Sequence, residues 1–374
     1  TKEQLDEQEK IYKDAISSNP NYADSYVYLG RILATRGRYK EAEENFKKAI
    51  SINPDYTEAH LCLSEVLFFL NKLDEAEKEI NYVLDKNRNN ANAYIISGKI
   101  NFSKENYFEA EKSFKKAIKL KPHYADAHLG LAGVYVNTGR LKLAEKEHKR
   151  AININPEYLD AYEGLGWVYY LEEKFDMAKE VFFKVLERNN KIPDIYIGLG
   201  WISYKLDEYM EAEKYFSKAK EISNNFDANN GLGWTYYKLF LVENEESYLE
   251  KSKMEFEEAI KLSHDYPDPY IGLGWIFYHL ENMEEAEKIF LKAVEINPDY
   301  IETYIGLGWL YYRWVLYNKE KIEYAEREFL RALEINYNYP DAHIGLGWVY
   351  YRKGKYKEAE DESVSYTHLT LPTN

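Results

Sequence analysis

Tryptophan, tyrosine and basic residues recur along this sequence at fixed offsets, and together they could stack on, hydrogen-bond to and charge-pair with a ligand. The string Gly-Leu-Gly-Trp occurs six times, ending at Trp167, Trp201, Trp234, Trp275, Trp309 and Trp348. Three residues later stand Tyr170, Tyr204, Tyr237, Tyr278, Tyr312 and Tyr351; four later, from the second copy on, stand Lys205, Lys238, His279, Arg313 and Arg352. Seven residues before each Trp comes an acid: Asp160, Asp194, Asp227, Asp268, Glu302 and Asp341. At about 100° per residue of helix these offsets fall within about 60° of the Trp, on one stripe. Large aromatic rings favour binding hot spots. Basic groups beside them would receive carboxylates or be held by cation–π contact. The stripe could equally be packing, with each indole leaning on a glycine of the next unit. Two glycines per helix cost about 1 kcal/mol each against Ala, which asks for a steric reason. Both readings stay open. The acids lie in a first helical turn, where negative charge suits the helix dipole.

Other chemistry is thinly represented. Eight His occur without a His-Glu-x-x-His or similar metal spacing; His123 and His128 are five apart, and His128 reads as a core or turn residue. Gly-Leu-Gly-Trp within a helix lacks the strand-to-loop setting of a nucleotide motif, and there is no nucleophile elbow. Acid-rich runs such as Glu41-Ala-Glu43-Glu44 read as a solvated helix face. The single cysteine, Cys62, excludes an internal disulfide and a cysteine-based zinc site, and reads as a small buried residue. We expect no catalysis, metal or cofactor in these residues. A net charge of −15 argues against nucleic acid and anionic membrane surfaces, and no apolar run is long enough to cross a bilayer.

The elements that carry the stripe are helices in pairs. Successive Trp residues are 34, 33, 41, 34 and 39 apart, and a weaker form of the frame runs upstream through Leu29-Gly30, Leu63-Ser64, Ser97-Gly98 and Leu131-Ala132. A first helix follows turns such as Asn53-Pro-Asp-Tyr56, where Pro stops the preceding helix and Asp is expected to cap the next. A second helix carries Ala, an aromatic four later and Ala three after that, as in Ala212, Phe216 and Ala219 or Ala286, Phe290 and Ala293. That spacing makes one packing face, which sets the Trp stripe on the side opposite the residues that pack within a repeat.

Tyr162, Leu165, Gly166, Tyr169, Ala178 and Phe182, and again Tyr270, Leu273, Gly274, Phe277, Ala286, Phe290, Ala293 and Pro298, make the chain resemble the tetratricopeptide-repeat (TPR) family over about residues 1–363. One departure is that Tyr or His holds the family's usual Trp site. The resemblance implies an all-α, right-handed superhelical α-solenoid of antiparallel helix pairs, with first helices on the concave side. It also implies a protein or peptide partner, within a possible larger assembly. The family's clamp for C-terminal carboxylates uses Lys, Asn and Arg where this chain has mostly Asp, Ile and Trp, so that mode is not expected.

Residues 1–20 fit the second helix of a truncated repeat, and 23–363 about ten units, the last truncated, with extra residues near 240–249 and 314–319. Insertions in solenoids map to one edge and can serve binding, but these read first as longer turns between helices. Residues 364–374 are unrelated to the rest. Their back-translation can spell a sequencing-library adapter, so we expect an artefact tail on a fragment. The compartment is unassigned, with the cytoplasm slightly favoured. All seven Trp follow residue 158, while Arg31, Glu65, Lys99 and Gly133 hold the Trp position in units one to four, which should present a more polar surface. The expected function is a non-catalytic interaction scaffold that binds a partner segment along the concave groove. The alternatives are the substrate-recruiting arm of a larger enzyme, such as a glycosyltransferase, and a polysaccharide-binding array with sugars stacked on exposed, coplanar Trp rings.

Overall fold

The computed structural model describes residues 2–370, all helical or turn, with no strand among them. Two compact units divide at Val185/Leu186. The first holds α1 (Lys2–Ser18), α2 (Ala23–Thr35), α3 (Tyr39–Ile52), α4 (Thr57–Phe69), α5 (Leu73–Lys86), α6 (Ala91–Ser103), α7 (Tyr107–Leu120), α8 (Ala125–Asn137), α9 (Leu141–Ile154) and α10 (Leu159–Leu171). The division falls within α11 (Phe175–Arg188). The second unit holds α12 (Pro193–Lys205), α13 (Tyr209–Ile222), α14 (Phe226–Glu243), α15 (Glu246–Leu262), α16 (Asp268–His279), α17 (Met283–Ile296), α18 (Ile301–Trp314), α19 (Lys321–Ile335), α20 (Pro340–Arg352) and α21 (Tyr356–Thr370). Of the presumed tail, Val364–Thr370 continue α21, and 371–374 lie outside the described residues.

Two turn chemistries repeat. Between the helices of a pair the chain passes through left-handed backbone. Gly takes that position at 37, 139 and 354, and Asn71, Glu105, Glu173, Asp207, Asn244 and Glu281 take it elsewhere, with φ near 60°. The next amide closes a Schellman bond five residues back, as from Arg38 to Leu33 at 2.9 Å. Between pairs, the Asn of the Asn-Pro-Asp-Tyr turn accepts the amide two residues on, as Asn53 does from Asp55 (3.2 Å) and Asn297 from Asp299 (3.0 Å). The expectation that Asp caps the following helix is corrected here: Tyr56 and Tyr300 occupy the N-cap and make no side-chain cap bond.

Seven second helices set one Phe in the core between small flanking residues, while Ile80 and His148 take its place in α5 and α9. Phe46, Phe114, Phe182, Phe216, Phe256, Phe290 and Phe329 are all buried. This Phe explains the glycines. A Cβ on Gly233 would stand 2.6 Å from Phe256 of its own pair, and one on Gly272 would stand 2.3 Å from the same ring. Phe290 lies likewise between Gly274 and Gly306, and Phe329 between Gly308 and Gly345. In Gly-Leu-Gly-Trp the first glycine receives the preceding pair's ring, His148 at Gly164 and Phe at Gly231, Gly272, Gly306 and Gly345, and the second receives its own pair's Phe except at Gly347. The expected indole-on-glycine contact is therefore replaced by phenyl-on-glycine. Burying each Phe contributes roughly 1.5–3 kcal/mol, which offsets the cost of about 2 kcal/mol for the two helical glycines it requires.

Within each unit, the backbones of consecutive first helices approach closely (α2 to α4, α4 to α6, α12 to α14, α14 to α16), whereas second helices reach the next second helix through long side chains, as Lys220 of α13 does Glu255 of α15 (2.7 Å). First helices thus form the tighter, inner wall of each unit. The first insertion is no longer turn: it lengthens α14 to 18 residues and α15 to 17, against 13 and 14 in α12 and α13. Added turns of helix satisfy their own backbone bonds, as a longer loop would not. The second insertion does stay in a turn after Trp314, where the Lys321 ammonium lies 3.9 Å from the indole centroid.

Candidate functional site

The inner wall of the second unit carries the Trp stripe, built as half-buried edge contacts. Trp201, Trp234, Trp275 and Trp309 meet their own pair's Phe at 5.1, 5.2, 5.8 and 5.4 Å between centroids, with planes 77–85° apart. Each also meets the Tyr three residues on, at 5.3–5.8 Å and again near perpendicular. The Trp side is therefore not opposite the intra-pair packing: the glycine before each Trp has no side chain, so the Phe edge reaches round to the indole. In the first unit Trp167 repeats this with Tyr170 and Phe182. Trp348 meets Tyr351, but Ser363 stands where its Phe would be, and Trp348 and Tyr351 are exposed.

The basic row works mostly as struts between first helices. Arg313 donates to the Tyr278 carbonyl (3.0 Å), pairs with Glu281 (2.8 Å) and covers the Tyr278 ring at 4.7 Å. Arg352 donates to the Tyr312 carbonyl (2.9 Å) and covers that ring at 4.5 Å. The last carbonyls of one first helix thus receive a cation from the next, as the helix dipole favours. His279 bonds the Tyr237 hydroxyl (3.1 Å), and its burial beside Arg313 holds its pKa below the ordinary range. Tyr170, Tyr204 and Tyr237 have phenols pushed up by burial. Lys205 is exposed and Lys238 half-buried, and among the described residues neither has an ion pair.

The acidic row has a second role beside the dipole. The turn Tyr before one first helix reaches the acid of the preceding one: Tyr56 to Asp24, Tyr158 to Asp126 (2.6 Å), Tyr300 to Asp268 (3.3 Å) and Tyr339 to Glu302 (3.3 Å). Asp268 also accepts from the Trp234 indole (2.8 Å) and the Asn230 amide (2.7 Å). The signal was present as a Tyr nine residues before the Trp position (Glu65 in the case of Tyr56), facing an acid 32 or 37 residues earlier.

The first unit differs. With Arg31, Glu65 and Lys99 in the Trp position, a cleft of about 660 Å³ opens over α2, α4 and α6. Glu58, Cys62, Asn92, Ile95, Tyr124 and Asp126 line it as well. Arg31 pairs with Glu58 and donates to the Cys62 sulfur (3.4 Å), while burial pushes the thiol up. Cys62 is therefore half-buried in a cleft wall and not a core residue. Among the described residues Glu65 and Lys99 have no ion-pair partner. Sequence reasoning placed a polar surface here and did not foresee the cleft.

Three histidines are structural. His60, His128 and His343 replace the packing Tyr; their Nδ1 meets Glu79 (2.5 Å), Glu147 (2.6 Å) and Glu362 (2.6 Å), and their Nε2 meets a turn carbonyl six residues back. Tyr26, Tyr270 and Tyr304 tie the same carbonyl with a hydroxyl, which accounts for a polar-tipped ring at this site. Among the described residues no group of three or more His, Cys, Asp or Glu could hold a metal, and no helix is long and apolar enough to cross a membrane.

Tetratricopeptide repeat models match residues 11–44, 33–100, 102–166, 159–192, 193–226, 267–300 and 314–365. The chain belongs to the tetratricopeptide repeat family. Among solved structures this TPR chain is similar to yeast Tom70 (19% identity over 100% of this chain and 90% of that one, TM-score 0.52). It is also similar to a tetratricopeptide repeat protein from Parabacteroides merdae (23%, covering 63% and 93%, TM-score 0.52) and to MamA (28%, covering 44% and 95%, TM-score 0.38). No curated protein sequence matches it. TPR arrays are generally non-catalytic scaffolds for protein–protein interaction, and this chain has that fold.

Proposed function

We propose that this TPR chain is a non-catalytic scaffold that holds an extended segment of a partner protein along the inner wall of its first helices. The observation that supports the reading best is the first-unit cleft, where Glu65 and Lys99 present unpaired charges of opposite sign from adjacent first helices. First helices pack roughly 8–10 Å apart, about three residues of extended chain, so each repeat can address one ligand side chain in three. The Trp and Tyr rows line the inner wall of the second unit. Their edge-on packing supplies no ladder of free, coplanar faces for sugars.

The test is peptide display on the immobilised chain, followed by affinity measurements on the selected peptides. Lys99→Glu and Glu65→Lys should each weaken binding at least tenfold, and the outer-wall change Glu44→Lys should leave it unchanged. Peptides that tolerate both inner-wall changes would overturn the reading.

A further inference from the structure

The first-unit cleft opens where three groups that fill the second unit's wall are missing together. The Trp position holds Arg31, Glu65 and Lys99. The core ring behind Glu65 is replaced by the smaller Ile80. The turn Tyr that would staple α4 is Asn90, which caps α6 instead by accepting from the Ala93 amide (3.1 Å). The buried lining is apolar, with Leu61, Val66, Ile95 and Ile96, while Glu65 and Asn92 are exposed at its margin. Tyr39 stacks on Phe69 at 5.0 Å with planes 13° apart, and Phe69 stays 52% exposed beside the opening. Phe46 lines the cleft too and has no ring partner among the described residues, whereas Phe216, Phe256, Phe290 and Phe329 each meet an indole. Arg31, in the Trp position of the Phe46 pair, is turned to Glu58 and Cys62.

A separate observation concerns hydrogen bonding. In the second unit Asp268 takes the Tyr300 hydroxyl on Oδ1 (3.3 Å) and the Trp234 indole N–H on Oδ2 (2.8 Å). Asp126 holds the same place on α8 and lines the cleft. It takes the Tyr158 hydroxyl on Oδ1 (2.6 Å), and its Oδ2 has no partner among the described residues. The residue whose indole would reach it is Lys99. The acceptor is in place and the donor ring is not.

We infer that the cleft seats a tryptophan side chain of the partner segment, supplying from outside the indole that the second unit's repeats carry themselves, with its N–H on Asp126. The inference rests on the scaffold reading and names the chemistry of its main anchor. A ring entering here buries its area against Leu61, Val66, Ile95 and Ile96 and meets the open side of Phe69. The volume of about 660 Å³ is that of a ligand pocket. A phenyl ring would bury as well but leave the Asp126 oxygen unserved. A lysine or arginine would serve the oxygen but leave the apolar lining bare. Charges on either side of the tryptophan would meet Glu65 and Lys99.

Cys62 is the only cysteine and stands half-buried in the cleft wall, so its alkylation by N-ethylmaleimide reports whether the cleft is filled. The full chain is titrated with N-acetyl-tryptophanamide, which should slow the reaction. The concentration giving half-protection should rise about fivefold for the N-methylindole analogue, which keeps the ring and loses the donor. It should rise about tenfold for N-acetyl-leucinamide. Lys99→Trp should react slowly with no amide present and gain no further protection. Equal protection by the tryptophan and leucine amides would overturn the tryptophan seat and keep the scaffold. So would display-selected peptides that protect Cys62 without containing tryptophan. Protection that grows with protein concentration and vanishes in Trp348→Ala would give the seat to a second copy and overturn the partner assignment. No protection by any amide or selected peptide would overturn both the seat and the scaffold reading of the cleft.

Discussion

The two units build the same inner wall from the same helix pairs, and a single position per repeat makes them different. In the second unit that position is Trp, and the indole turns edge-on to Phe216, Phe256, Phe290 or Phe329 and fills the wall. Over α2, α4 and α6 of the first it is Arg31, Glu65 or Lys99, and the wall opens into a cleft lined by these charges, whereas Trp167 of α10 keeps the second unit's arrangement. The core behind stays filled, since Phe46 and Phe114 are as buried as their counterparts and Ile80 is buried in the same place of α5. Core packing and surface chemistry are therefore separable in this fold, and a repeat can keep the first while changing the second.

The strongest way to break the comparison is to remove what the units share. Phe290→Ala should cost about 3–5 kcal/mol by the usual cost of emptying a core aromatic site, read by denaturant unfolding. A smaller loss would mean that Gly274 and Gly306 collapse onto the gap. Next comes the repeat in which the shared feature is already altered. His148 sits in the Phe position against Gly164, and burial pushes its pKa down to about 4. The unfolded chain takes that proton near pH 6.5 and the folded chain only near 4. Stability should therefore fall as pH drops through this window, by up to about 3 kcal/mol at roughly 1.4 per unit. His148→Phe should flatten that slope in melts at pH 4.5 and 7.

Lys99→Trp would rebuild the second unit's wall in the first. Gly98 precedes it, and Phe114 already lies against that glycine, so the indole has its edge partner. Peptides selected on the cleft should bind at least tenfold more weakly, about 1.4 kcal/mol, with little change in melting. Retained binding would show that the cleft is not their seat. The smallest effect sharpens the turn. Glu105 adopts φ 59° where Gly37, Gly139 and Gly354 serve elsewhere. Glu105→Gly should stabilise by about 0.5–1 kcal/mol, visible as a small rise in melting temperature.

The repeat, the helix pairs and the fold were legible because spacings of three and four encode faces directly. The role of the glycines was not, because helical periodicity places a residue on a face without saying which ring arrives there. Arg313 and Arg352 were legible as cations beside aromatics but not as caps of the preceding helix, since that contact spans 35 and 40 residues. The cleft was hidden for a simpler reason: it is made by the absence of a bulky side chain at Glu65 and Lys99, and absence carries no motif.

The sandwiching of one Phe by two glycines bears on how such a chain can change in length. Phe256, Phe290 and Phe329 each present the same edge to the same kind of notch on either side. The seam between any two of these repeats is then interchangeable with the seam between the next two. A recombination that drops or duplicates a whole repeat joins a familiar ring to a familiar notch and demands no compensating substitution. Only a seam with an unusual occupant, such as His148 at Gly164, would resist being copied elsewhere.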